Sequence, residues 1–128
     1  MTSALMTGIT TLGNTVSGLS AANFFYVEGK HSNTGTRCVW RGINQEPDRD
    51  SVDKLYEDYV QFDFYSKNAA TCLTIAAAFD AIFDLGNLVV SGYDVIEIEK
   101  VSELPLNLED KEEWRIMYEY RIHTSIAR

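Results

Sequence analysis

The chain has 128 residues with 45% hydrophobic and 23% charged content, enough for one domain that buries about two thirds of its extended-chain surface without metal or disulfide staples. A formal net charge of -8 disfavours bulk electrostatic binding to a phosphate backbone, which takes clustered Lys and Arg. Met1 is followed by Thr, Ser, Gly and Leu with no basic segment, and no apolar run approaches the ~18 residues of a membrane span, so the chain reads as soluble and unsecreted.

Leu5, Ile9, Leu12, Val16 and Leu19 recur at spacings of four and three, which predicts a helix with one narrow apolar stripe, capped by Thr2 or Ser3. Its other faces carry Thr7, Gly8, Thr10, Thr11, Gly13, Asn14 and Thr15, all weak helix formers, so packing of the stripe must hold it. Asn23 to Val27 reads as a short strand and Gly29 to Thr36 as a turn.

Arg37 to Ile43 is a second strand, with Cys38 and Trp40 on one face and Val39, Arg41 and Ile43 on the other. Asn44 to Lys54 is a polar excursion in which Pro47 and alternating charges exclude a central strand. A third strand starts near Tyr56 and completes a hairpin with an oversized charged tip. Here Val60, Phe62 and Phe64 alternate with Gln61, Asp63 and Tyr65, predicting one buried and one wetted face.

At Ser66 the apolar period changes from two to about 3.6, and a helix follows almost without a loop, from Asn68 to Leu85, ending at Gly86. Cys72, Ile75, Ala76, Phe79, Ile82 and Phe83 form its expected core stripe. Ala70, Leu73, Ala77, Ala81 and Leu85 form a second apolar face, and only Asp80 and Asp84 are charged. A helix apolar nearly all round needs cover on two sides. That cover is either the first helix, whose Gly8 and Gly13 would allow close approach, or a neighbouring subunit.

Residues 88 to 101 predict a strand with a bulge at Ser91-Gly92. Ser102 to Glu113 reads as a polar connection in which Glu103, Glu109, Asp110, Glu112 and Glu113 face one base, Lys111. Trp114, Ile116, Tyr118, Tyr120, Ile122, Thr124 and Ile126 alternate with polar residues in a last strand long enough to span the sheet. The order α-β-β-β-α-β-β predicts an α+β domain over residues 1–128: an antiparallel or mixed sheet with two helices packed on one face.

Catalytic chemistry is sparse. His31 and His123 have no second ligand at metal spacing, and Gly8, Gly13 and Gly18 do not follow a strand as a phosphate-binding fingerprint must. No catalytic residue, metal site or cofactor is expected. Cys38 and Cys72, without C-x-x-C spacing, read as buried thiols. Asp48, Asp50 and Asp53, and Glu109, Asp110, Glu112 and Glu113, do not fit a calcium loop; they read as solvated tips or as contact surfaces.

The segment from Tyr59 to Ala70, with the alanine-rich helix through Phe83 and the strand around Tyr93 to Glu99, resembles the tail terminator (tail completion) family of long-tailed bacteriophages, over about residues 37 to 126. The resemblance implies a non-enzymatic, usually hexameric ring in the virion, assembled in the host cytoplasm. Such a ring ends growth of the tail tube, meets tail tube protein on one side and a head-proximal connector or neck protein on the other, and lets DNA pass its lumen without specific binding. On that reading ring closure falls to Ala70, Leu73, Ala77 and Ala81 together with sheet-edge strands. Axial or lumen contacts fall to Glu46, Asp48, Arg49 and Asp50, or to Glu109, Asp110, Glu112 and Glu113. Two alternatives stand beside it: a neck protein capping the portal, and a small-ligand-binding domain using a mouth between Trp40, Tyr118 and His123.

Overall fold

The computed structural model describes residues 1–20, 23–26, 35–47, 55–109 and 112–127. Along the chain run α1 (Ser3–Gly13), β1 (Phe24–Tyr26), β2 (Arg37–Pro47), β3 (Leu55–Ser66), α2 (Ala69–Ile82), β4 (Tyr93–Glu109) and β5 (Glu113–Ile126). The strands form one five-stranded mixed sheet in the order β1-β2-β3-β5-β4. Every pairing is antiparallel except β1 with β2, where Phe24 to Tyr26 run parallel to Cys38 to Trp40. The element order and the α+β class agree with the periodicity of the sequence.

One face of the sheet carries the core. Trp40, Val60, Phe62, Phe64, Ile116, Tyr120 and Ile122 are buried there beneath Leu5 and Ile9 of α1 and Cys72, Ile75, Ala76 and Phe79 of α2. Phe62 lies at its centre, with ring centroids of Phe79 at 4.5 Å, Phe83 at 5.2 Å and Tyr120 at 5.7 Å. These tilted and edge-on arrangements are the favoured ones for aromatic pairs. Cys38 and Cys72 are free, fully buried thiols in the same core. The Cys72 Sγ–H donates to the Phe64 carbonyl at 3.3 Å.

Local chemistry sets the helix starts. Thr2 caps α1 by accepting from the Leu5 N–H at 3.2 Å, and Asn68 caps α2 by accepting from Thr71 N–H at 3.0 Å. α1 ends at Gly13, earlier than its apolar stripe, yet Val16 and Leu19 remain buried through the turns beyond it. The α1 glycines do not approach the alanines of α2. Gly8 lies against the Val89 backbone carbonyl and Gly13 against the Phe24 ring, with no room for a Cβ at either.

The structure differs from the sequence reading in three further places. α2 stops at Ile82, because the Asp84 carboxylate accepts from Gly86 N–H at 2.9 Å and Asn87 N–H at 3.0 Å and turns the chain; Gly86 is not a left-handed terminus. The expected bulge at Ser91-Gly92 is a tight turn closed by a Val90–Tyr93 bridge, with Gly92 at φ 82°. The expected polar connection from Ser102 is strand as far as Glu109, so β4 and β5 form one long hairpin. Pro105 is accommodated because β4 is an edge strand and its ladder is irregular between Leu104 and Asn107.

Candidate assembly surface

The second apolar face of α2 is uncovered. Ala70, Ala77 and Ala81 are exposed, Leu73 is 50% exposed and Leu85 is 55% exposed, while α1 packs elsewhere. Val89, just beyond, is 77% exposed. Four residues expected to close a ring therefore share one accessible, uncharged helix face. Its position is fixed from beneath by the buried stripe and from the side by Asp80, which accepts from the Tyr120 hydroxyl at 2.6 Å and from Lys100 Nζ at 3.2 Å. Burial, and then the bond to Asp80, raises the Tyr120 phenol above its ordinary range.

Of the expected axial or lumen contact residues, Glu46, Glu109, Glu112 and Glu113 are among those described. Glu46 belongs to β2, where its backbone pairs with Glu57, and not to a loop tip. Asp48, Arg49, Asp50, Asp53 and Asp110 lie outside the described residues, as does His31. Glu109 ends β4 opposite Glu113. Glu112 is exposed at the hairpin turn with φ 59°. Glu113 is a correction: it is 4% exposed, and it accepts from Arg37 Nη1 at 2.7 Å beneath the sheet's open face. Arg37 also stacks on Tyr65 at 4.4 Å, so Glu113 is tied down as a strut and is not presented at a tip.

The face of the sheet away from the helices is polar, but it is not simply wetted as the alternation in β3 suggested. Gln61 and Asp63 are each 8% exposed, and Arg115 reaches Asp63. Further along, two cross-strand rows meet on β3, β5 and β4: Glu57–His123–Glu97 and Tyr59–Arg121–Glu99. Arg121 Nη2 donates to Glu97 at 2.8 Å and also to Glu99, and His123 Nε2 lies 3.4 Å from Glu57. Donation from the Tyr59 hydroxyl at 2.8 Å, then His123 and Arg121, hold the Glu57 carboxyl below its usual range against a smaller opposing effect of burial. The alternation of the last strand puts Arg121 and His123 on one polar face, but only the register across three strands brings Glu57, Tyr59, Glu97 and Glu99 to them, and local periodicity carries no sign of it.

The mouth expected between Trp40, Tyr118 and His123 does not exist. Trp40 and Tyr118 point into the helix-covered core, while His123 stands on the opposite face beside Glu57. A groove of about 590 Å³ runs between α1 and residues 87–91 and is lined by Thr7, Thr11, Leu12, Thr15, Val89 and neighbours without a titratable side chain. Its hydroxyls, on Ser3, Thr7, Thr11, Thr15 and Ser91, have no histidine, carboxylate or lysine in the lining to activate them. Among the described residues no group of three or more His, Cys, Asp or Glu is placed to hold a metal ion, and no helix is long and apolar enough to cross a membrane.

No protein-family model matches the chain, and no curated protein matches it by sequence. Among solved structures, the fold is similar to a chain in the virion of a native gene transfer agent particle. The two superpose with a TM-score of 0.61 at 15% identity, over 91% of this chain and 84% of the other.

Proposed function

We propose that this chain is a structural subunit of a phage-like virion that forms a ring, hexameric by family resemblance, at the head-proximal end of the tail tube. There it ends tube growth and offers its other side to the connector. The observation that carries this reading is the likeness in fold, nearly end to end, to a chain of a gene transfer agent virion. The uncovered α2 face supports the assembly part of it. Ala70, Leu73, Ala77, Ala81 and Leu85 leave an apolar surface on a chain that otherwise carries a net charge of -8, and such surfaces mark contacts with other proteins. A net acidic ring would also let DNA pass its lumen without sticking.

The chemistry of the surface fits a scaffold in place of a catalyst. Several of its ionisable groups are engaged in struts between elements: Arg37 with Glu113 and Arg115 with Asp63 across the sheet, and Lys100 of β4 with Asp80 of α2. The Glu112 turn and the neighbouring hairpin tip are the proposed axial contacts, together with Asp48, Arg49 and Asp50. The test is to add purified protein to polymerising tail tube protein. Tubes capped at one end and arrested in length support the reading; unaltered tube growth with no bound subunit overturns it.

A further inference from the structure

Among the described residues both lateral edges of the sheet are open, and their chemistry differs. β1 covers β2 only at Cys38 to Trp40, so among the described residues the outer side of β2 is unpaired from Arg41 to Pro47. β4 has β5 on one side and, among the described residues, no strand on the other. An unpaired edge carries unsatisfied N–H and C=O groups and is a template for another chain. On the open face, Glu97 and Glu99 stand at the β4 edge; with Glu57 they put three carboxylates around the one guanidinium of Arg121 and the imidazole of His123. That leaves local negative charge in excess. Arg41 also lies on the open face, opposite Gln61, and is exposed with no carboxylate in pairing range among the described residues. Ile43 beside it is 47% exposed, and Ile96 on β4 is 48% exposed.

We propose that copies of this chain join head to tail through their sheets: the free stretch of β2 in one copy pairs with β4 around Glu97 to Lys100 in the next, and Arg41 enters the Glu97/Glu99 carboxylates. This rests on the ring reading above and names the contact that closes it. Strand directions agree. β2 is antiparallel to β3, β3 to β5, and β5 to β4, so a continued sheet sets β4 antiparallel to the incoming β2. The same continuation keeps all open faces on one side, which brings Arg41 and the two glutamates to a common surface. β4 cannot readily pair with itself, because its acidic residues and its three register shifts oppose a second copy of the same edge. The contact is therefore between two different patches, the kind that makes a ring where the rotation between copies closes. It also sets the neighbouring copy beside α2, which packs over β3, β5 and β4.

Charge reversal tests the pairing. Sedimentation velocity across a concentration series reads assembly of wild type, Arg41→Glu, Glu97→Arg and the double variant, with circular dichroism confirming the fold of each. Each single reversal is expected to weaken association roughly tenfold or more. The double variant, in which reversed charges face one another across the contact, restores it. Wild-type rings with both single variants assembling normally overturn this inference and leave the ring reading standing. So does a folded double variant that stays monomeric. A wild type that never assembles, alone or with tail tubes, overturns both.

Discussion

Arg115 reaches diagonally across the β3–β5 ladder to Asp63, its Nε donating at 2.9 Å and its Nη2 at 2.6 Å to the same carboxylate oxygen. The other oxygen of Asp63 accepts from Gln61 Nε2 at 2.9 Å. With Asp63 8% exposed, this pair holds a nearly buried charge on the sheet's open face. Replacing Arg115 by Leu strands that carboxylate and is expected to cost about 2 kcal/mol in urea unfolding. Adding Asp63→Asn to Arg115→Leu recovers part of the loss, because the stranded charge is then gone.

Gly8 fixes how closely α1 approaches the segment after α2. A Cβ there would collide with the Val89 carbonyl oxygen, which belongs to backbone and cannot rotate away. Gly8→Ala should raise local helix propensity yet destabilise the protein by about 1–3 kcal/mol, the range for overpacking. Thermal unfolding reads it, and Thr11→Ala, at an exposed position on the same helix, serves as the control with little change.

Tyr120 gives the protein an alkaline limit. Its folded phenol titrates above the ordinary value of 10.0, chiefly through burial and then through donation to Asp80. A raised folded value means the neutral phenol is favoured by folding. The associated stability is fully present below about pH 10, where the unfolded phenol titrates, and is lost as pH rises above it. Unfolding free energy should fall along this limb, with phenolate absorbance of Tyr120 appearing only on unfolding. Tyr120→Phe removes its part of the slope and costs roughly 1.5–3 kcal/mol at neutral pH, the range for a hydrogen bond to a charged group.

The exposed face of α2 separates folding from assembly. Ala77 is exposed and α1 lies elsewhere, so Ala77→Arg should change stability by no more than about 0.5 kcal/mol. On the proposed reading it abolishes ring formation, since an arginine enters an otherwise uncharged contact. Unfolding curves and particle mass measured on the same sample check both halves.

The helices, the β2–β3 hairpin and the central aromatic core were legible because one buried face writes its period into the sequence. Phe62, Phe64 and Phe79 fall where the change of period at Ser66 places them. The four α2 residues were legible as a second apolar face, but not their exposure, since periodicity does not say which of two faces a neighbour covers. The extent of β4 was hidden because an edge strand with an open face needs few apolar residues, and its charges and Pro105 imitate a loop. The role of Glu113 was hidden for a related reason. Its burial depends on Arg37, 76 positions away in the chain, and local composition carries no record of that pairing.

The most direct test of the account is the mass of purified wild-type particles, measured by sedimentation equilibrium and imaged in negative stain. Wild-type protein is expected to form a closed ring of one discrete stoichiometry with a central opening. A single monomeric species at every concentration, with no ring in the images either alone or beside tail tubes, would contradict it.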